Sequence, residues 1–160
     1  FRARFVNGYG FFTGTNIGVY VQPGGNSWVA FSDVRFKENF IPVDGEKFLK
    51  SIANMPQYTW NYKTQDPKTF RHYGPMAQDF YKAFGRDKLG EIGCDTTINQ
   101  QDFLGVSFIA IQALEKRTKI LQQENDALKE KNELLEKRLK DNKDQLGKRL
   151  LKLELRLKEK

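Results

Sequence analysis

Ser32-Asp33-Val34-Arg35-Phe36-Lys37-Glu38-Asn39 marks the point at which this chain changes character. Before it, residues 1–31 carry only two charges, Arg2 and Arg4, and six glycines. After it the chain becomes densely charged and helical in pattern. A hydroxyl nucleophile and a potential base, five residues apart at a composition boundary, point to a chain that cuts itself there. The other reading is plain: Ser32 caps a turn and Lys37 is a surface lysine.

Working outward, the N-terminal side shows short alternating runs, Phe1-Arg2-Ala3-Arg4-Phe5 and Val19-Tyr20-Val21-Gln22. Pro23-Gly24-Gly25-Asn26 is a strong turn signal. Residues 1–31 therefore predict short β-strands with tight turns. They are too few to bury their own aromatics and read as the end of a larger β-structured stalk. Residues 32–101 predict a mixed α/β domain. Phe48, Leu49, Ile52 and Ala53 have helical spacing, and Pro56 ends that helix. Tyr58-Thr59-Trp60-Asn61-Tyr62 alternates and suits a strand. Asp66-Pro67 predicts a turn. Residues 76–84 read as a second helix, with Pro75 near its first turn and Gly85 ending it. Asn99-Gln100-Gln101-Asp102 leads into the last helix.

Residues 102–160 carry heptads. Leu114, Leu121, Leu128 and Leu135 are seven apart and take position d, which places Thr118, Asn125, Asn132, Leu139 and Leu146 at a. Asn142 then falls at d, and the phase shifts toward Leu150, Leu153 and Leu157. The eleven-residue step from Leu139 to Leu150 fits a stutter, with Gly147 inside it. Polar seam residues fix register and oligomer number at a cost in stability. Asparagine at a, taken alone, favours a dimer.

Composition sets further bounds. The net charge is +7. Residues 102–160 hold 15 Lys and Arg against 11 Asp and Glu, interspersed as on a solvated helix surface. A zipper-type DNA-binding factor would need a continuous basic region before its leucines, whereas residues 102–113 carry one charge, Asp102. No nucleic-acid partner is expected. No apolar run approaches the ~20 residues that span a membrane, so no membrane partner is expected either. The single cysteine, Cys94, excludes an internal disulfide and fits a reducing compartment. One histidine and one cysteine do not complete a zinc shell, and no phosphate-loop or dinucleotide fingerprint is present, so neither metal nor cofactor is expected. The abrupt start at Phe1 reads as a fragment of a longer protein.

The Ser32 to Asn39 stretch, the later Arg71-His72-Tyr73-Gly74-Pro75-Met76-Ala77-Gln78 and the long heptad helix, in that order, resemble the C-terminal intramolecular chaperone auto-processing domain of phage tailspikes, tail fibres and endosialidases. A related domain occurs in some self-cleaving membrane-bound transcription factors. The resemblance spans roughly residues 32–119. It implies an α+β fold: a small mixed domain after the end of a β-structured stalk, then a long coiled-coil helix, assembled as a parallel homotrimer. The trimer is preferred here over the dimer that the seam asparagines suggest. The resemblance further implies an autoproteolytic serine endopeptidase acting once in cis, with Ser32 as nucleophile, Lys37 as base and the scissile bond between Phe31 and Ser32. His72 would support cleavage, or else be a packed histidine. Asn39 and Gln78 match motif positions and would donate hydrogen bonds to the oxyanion, or else be structural. The expected partners are two further copies and the preceding stalk of the same chain. The expected setting is the bacterial host cytoplasm during virion assembly, with the parent fibre in the virion tail. The competing function is an uncleaved trimeric end-module of a surface fibre or adhesin.

The spacing adds a constraint of its own. Residues five apart share no helix face and lie on opposite sides of a strand. Ser32 and Lys37 meet only if the chain bends between them or if the lysine comes from another subunit.

Overall fold

The computed structural model describes residues 4–88 and 90–158. The chain divides into two units, Phe1–Pro42 and Val43–Lys160.

The first unit is a three-stranded antiparallel sheet of β1 (Tyr9–Gly14), β2 (Ile17–Val21) and β3 (Val29–Ala30), in that order across the sheet. Tyr9 pairs with Val21 and Phe11 with Val19 between the first two strands, and Val19 pairs with Ala30 between the second and third. Asn16 closes the β1–β2 hairpin with a left-handed φ of 61°, a conformation asparagine tolerates better than most residues. The expected turn after β2 forms, with Gly25 N donating to Gln22 O at 2.8 Å. The alternating run from Phe1 to Phe5 lies partly outside the described residues, and Arg4 and Phe5 are irregular.

Strand alternation sorts the aromatics onto two faces. Tyr9, Phe11 and Trp28 cluster on one, and Phe12, Tyr20 and Phe31 on the other. None of the described residues of this unit is fully buried. Among its described residues the sheet carries aromatics on both faces and buries none of them as a core, as expected for so short a segment.

The second unit holds α1 (Gly45–Asn54), β4 (Tyr58–Trp60), β5 (His72–Gly74), α2 (Ala77–Phe84) and α3 (Gln100–Lys158). Asp44 caps α1 by accepting from the Glu46 and Lys47 amides. Met55 follows the helix in extended conformation, before Pro56. Pro75 lies one residue before the Met76 cap of α2, just outside the helix rather than in its first turn. Asn99 opens α3, its Oδ1 accepting from the Gln101 amide at 2.8 Å. β4 and β5 form a two-stranded antiparallel ladder in which Trp60 pairs with His72. The sequence gives β4 by its alternation, but β5 is only three residues long and shows no period.

The core gathers Met55, Phe80, Phe84 and Val106, with Phe48, Ile52, Ala83, Ile98 and Phe103 packed around them. Ring contacts link Phe48 to Phe84 and Phe80 to both Phe84 and Phe103. Val106, Ala110 and Ala113 are the buried residues of α3, at the four–three spacing of one helix face. α1 lies along this part of α3, and Arg117 reaches back to Glu46 through paired hydrogen bonds from Nε at 3.0 and 2.9 Å.

Beyond that contact α3 runs free. It is 59 residues long, about 88 Å at the helical rise, and every described residue from 114 onward is exposed. Leu121, Leu128 and Leu135 all lie on this stretch, and Gly147 does not interrupt it. The architecture is the α+β arrangement expected: small antiparallel sheets, a small helical core and one long C-terminal helix.

Candidate functional site

The chain does bend between Ser32 and Lys37. Residues Val34–Phe36 form a single 3-10 turn. Asp33 starts it: its Oδ1 accepts from the Arg35 amide at 2.8 Å, and Lys37 N donates back to Val34 O at 3.1 Å to close it. A short acidic side chain bonding the amide two residues on is a frequent turn starter. The turn reverses the chain just enough that Lys37 Nζ reaches Ser32 Oγ at 2.8 Å. Within one chain, this bend is what brings the two side chains together.

Arg35 is held by the same aspartate. Its guanidinium meets both Asp33 carboxylate oxygens, with Nε at 3.0 Å from each. This side-chain bonding, followed by the bond from the Arg35 amide, holds the Asp33 carboxyl below the usual aspartate range. It also raises the Arg35 guanidinium above its ordinary value. Arg35 is thereby paired with Asp33. Asp33 and Arg35 are thus the builders of the pair's geometry, and the sequence reading gave Asp33 no role. The residue type was the signal, since aspartate readily bonds the amide two residues on, but its pairing with Arg35 left none in the sequence.

Ser32 and Lys37 are both exposed, and so are the neighbouring apolar residues Val34, Phe36, Phe40 and Ile41. On the other side of the bond between Phe31 and Ser32, Phe31 follows β3 and stacks on Tyr20, centroids 5.2 Å apart. Asn39 lies in the same unit with a left-handed φ of 58°, so its backbone turns the chain after the lysine.

His72 and Gln78 belong to the second unit. His72, on β5, is half-buried and stacks on Trp60 at 4.6 Å, with Tyr62 edge-on at 5.6 Å. Its Nε2 lies 3.1 Å from Gln65 Oε1, which also accepts from the Tyr62 amide. An amide oxygen accepts only, so Nε2 carries the hydrogen of that bond. Gln78 is exposed in the first turn of α2.

Cys94 is exposed, and hydrogen bonds first from Thr96 and then from Thr97 lower its thiol to about 7. Among the described residues, no three His, Cys, Asp or Glu side chains gather as a metal-holding group. Among those same residues, no helix is long and apolar enough to cross a membrane.

Residues 32–87 match the family Peptidase_S74, chaperone of endosialidase. This is the family the sequence resembles, and the match opens on Ser32 itself. It takes in Lys37, Asn39, His72 and Gln78, and stops before α3. No curated protein matches the chain. The match covers about a third of the chain, and over those residues the chain is similar to the chaperone-of-endosialidase family.

Proposed function

We propose that the chain is a self-cleaving intramolecular chaperone of a phage tail fibre or tailspike, which gathers three copies, assists folding of the preceding stalk and releases itself by cutting between Phe31 and Ser32. The observation that carries the chemistry is the 2.8 Å contact of Lys37 Nζ with Ser32 Oγ across the Asp33-capped turn. A neutral amine at that distance accepts the hydroxyl proton. Ser32 Oγ then adds to the carbonyl carbon of Phe31, closing a five-membered ring without any diffusional step. The bond from that carbon to Ser32 N breaks, and the lysine ammonium returns its proton to the leaving nitrogen. An ester through Oγ remains, with a free amine on Ser32. Water hydrolyses the ester to a Phe31 carboxylic acid and restores the Ser32 hydroxyl. Asn39, Gln78 and His72 are assigned supporting parts by their positions in the family motif.

Assembly fits the same reading. A base must be neutral, and withdrawal from water favours a neutral amine. The exposed Val34, Phe36, Phe40 and Ile41 beside the pair supply apolar surface that neighbouring copies would cover. The exposed leucines of α3 supply the means of bringing those copies together. Three tethered chains raise the effective concentration of stalk segments, whose non-local pairing is slow. Cutting afterwards leaves the product kinetically trapped. The setting for this is the bacterial host cytoplasm during virion assembly, with the parent fibre in the tail.

Mass spectrometry of the whole protein tests the reading. Wild type is expected to yield a fragment of residues 32–160, and Ser32→Ala only full-length chain. Equal full-length masses after long incubation would favour the uncleaved end-module of a surface fibre instead.

A further inference from the structure

The residue on the acyl side of the proposed cut is held by contacts that self-cleavage chemistry does not itself require. β3 ends at Ala30, whose backbone is paired with Val19. Immediately afterwards the Phe31 ring stacks on Tyr20 at 5.2 Å, with 28° between planes, and meets Phe12 at 5.9 Å. Phe12 comes from β1 and Tyr20 from β2.

Two glycines make room for this arrangement. Phe12 pairs with Gly18, and Gly10 pairs with Tyr20. A Cβ on Gly18 would sit 2.8 Å from Cδ1 of Phe12, and one on Gly10 would sit 2.9 Å from Cε2 of the same ring. The Phe12 ring therefore lies over backbone that has no side chains. Glycine inside a strand weakens it and marks a place where another group approaches closely. Burial does not explain the arrangement, since Phe12 is 58% and Phe31 37% exposed.

We propose that Phe12 and Tyr20 are positioning residues for the cut: together they hold Phe31, and through it the carbonyl carbon that Ser32 attacks. The scissile bond then lies between two anchors. On one side the sheet ladder and the ring stack fix Phe31. On the other the Asp33-capped turn and Lys37 fix Ser32. Ring-closing attack needs the carbonyl presented at one orientation to Oγ, and rotation about the Phe31 backbone would lose it. Because the two platform rings come from different strands, they meet only when the β1–β2 hairpin has formed. Cutting thereby reports on the fold of the segment that precedes it.

This inference rests on self-cleavage between Phe31 and Ser32, so the experiment begins with the rate of wild-type cutting in the full chain. Phe12→Ala and Tyr20→Ala are each expected to slow cutting by about a hundredfold, the usual loss for a reacting group displaced by an ångström. Tyr20→Phe keeps the ring and is expected to cut at close to the wild-type rate. Phe11→Ala is the matched control: an adjacent exposed ring on the opposite face of the same strand, 65% exposed, whose removal should leave cutting near wild type. The pH profile separates positioning from base chemistry. Platform variants should lower the rate by the same factor at every pH, with the midpoint where wild type has it. Equal losses from Phe11→Ala and Phe12→Ala would overturn the platform and indicate sheet stability alone. So would wild-type rates from Phe12→Ala and Tyr20→Ala. A wild-type chain that never cuts would overturn the self-cleavage reading, and this inference with it.

Discussion

Replacing Leu121, Leu128 and Leu135 together by alanine tests whether the long helix assembles the protein. In the single chain these side chains are 57%, 56% and 50% exposed, so roughly half of each is left for a partner to cover. Full burial of a leucine is worth ~1.5–3 kcal/mol, so the exposed half contributes about 1 kcal/mol. Three positions in three chains give about 9 kcal/mol per trimer, before any added loss from imperfectly filled space. At 1.4 kcal/mol per decade, that is more than six decades in the trimer's dissociation constant, or about three decades in the protomer concentration at half-assembly. The assay is sedimentation equilibrium over a wide concentration range, in a Ser32→Ala background so that cutting does not intrude. The parent is expected at three times 18.6 kDa, and the triple variant at one chain mass over concentrations where the parent is assembled. The same three changes beside an intact Ser32 should also reduce cutting, although they lie far along the sequence from the bond. An unchanged assembly curve would refute the seam. A clean dimer mass for the parent would show that the seam asparagines set the oligomer number. Normal cutting by the dissociated variant would separate assembly from cleavage.

Three further outcomes are expected. Lys37→Ala should slow cutting by ~10²–10⁴-fold, the span of general-base contributions, and Lys37→Arg should not restore it because a guanidinium stays protonated; fast cutting by Lys37→Arg would remove Lys37 as the base. Glu46 is held below the usual carboxylate range, chiefly by its hydrogen bonds from Arg117, so its tie between α1 and α3 is present above the unfolded glutamate range and is lost as pH falls through the lowered folded value. The difference in urea midpoint between wild type and Glu46→Gln should accordingly shrink on acidification, and a constant difference into strong acid would contradict this. Alkylation of Cys94 by iodoacetamide should rise with a midpoint at about pH 7, and Thr96→Val should move that midpoint upward; a midpoint that ignores the substitution would disprove the threonine contribution.

Periodicity carried much of the fold. The apolar spacing of Phe48, Leu49, Ile52 and Ala53 located α1, the run before Gly85 located α2, and the leucine heptads located α3, because each is a local pattern repeated over several turns. The β-unit was legible as short strands and turns, and the lack of a core followed from its length. β5 was not legible: three residues hold no period, and its pairing with Tyr58, Thr59 and Trp60 spans more than ten residues of intervening loop.

The candidate site divides in the same way. Composition and spacing singled out Ser32 and Lys37, because residue type and position are written in the chain. Five residues of separation, however, leave two side chains together or apart according to the backbone between them. That was decided by the Asp33-capped turn and its pairing with Arg35, which only three-dimensional structure displays. The platform beneath Phe31 lay further from view, since Phe12 and Tyr20 reach it through strand register, and register is a property of paired strands rather than of either sequence alone. The sequence by itself determined which groups are present and which segments repeat; the tertiary structure determined which of them touch, because contact between distant residues is fixed by turns, register and packing acting together.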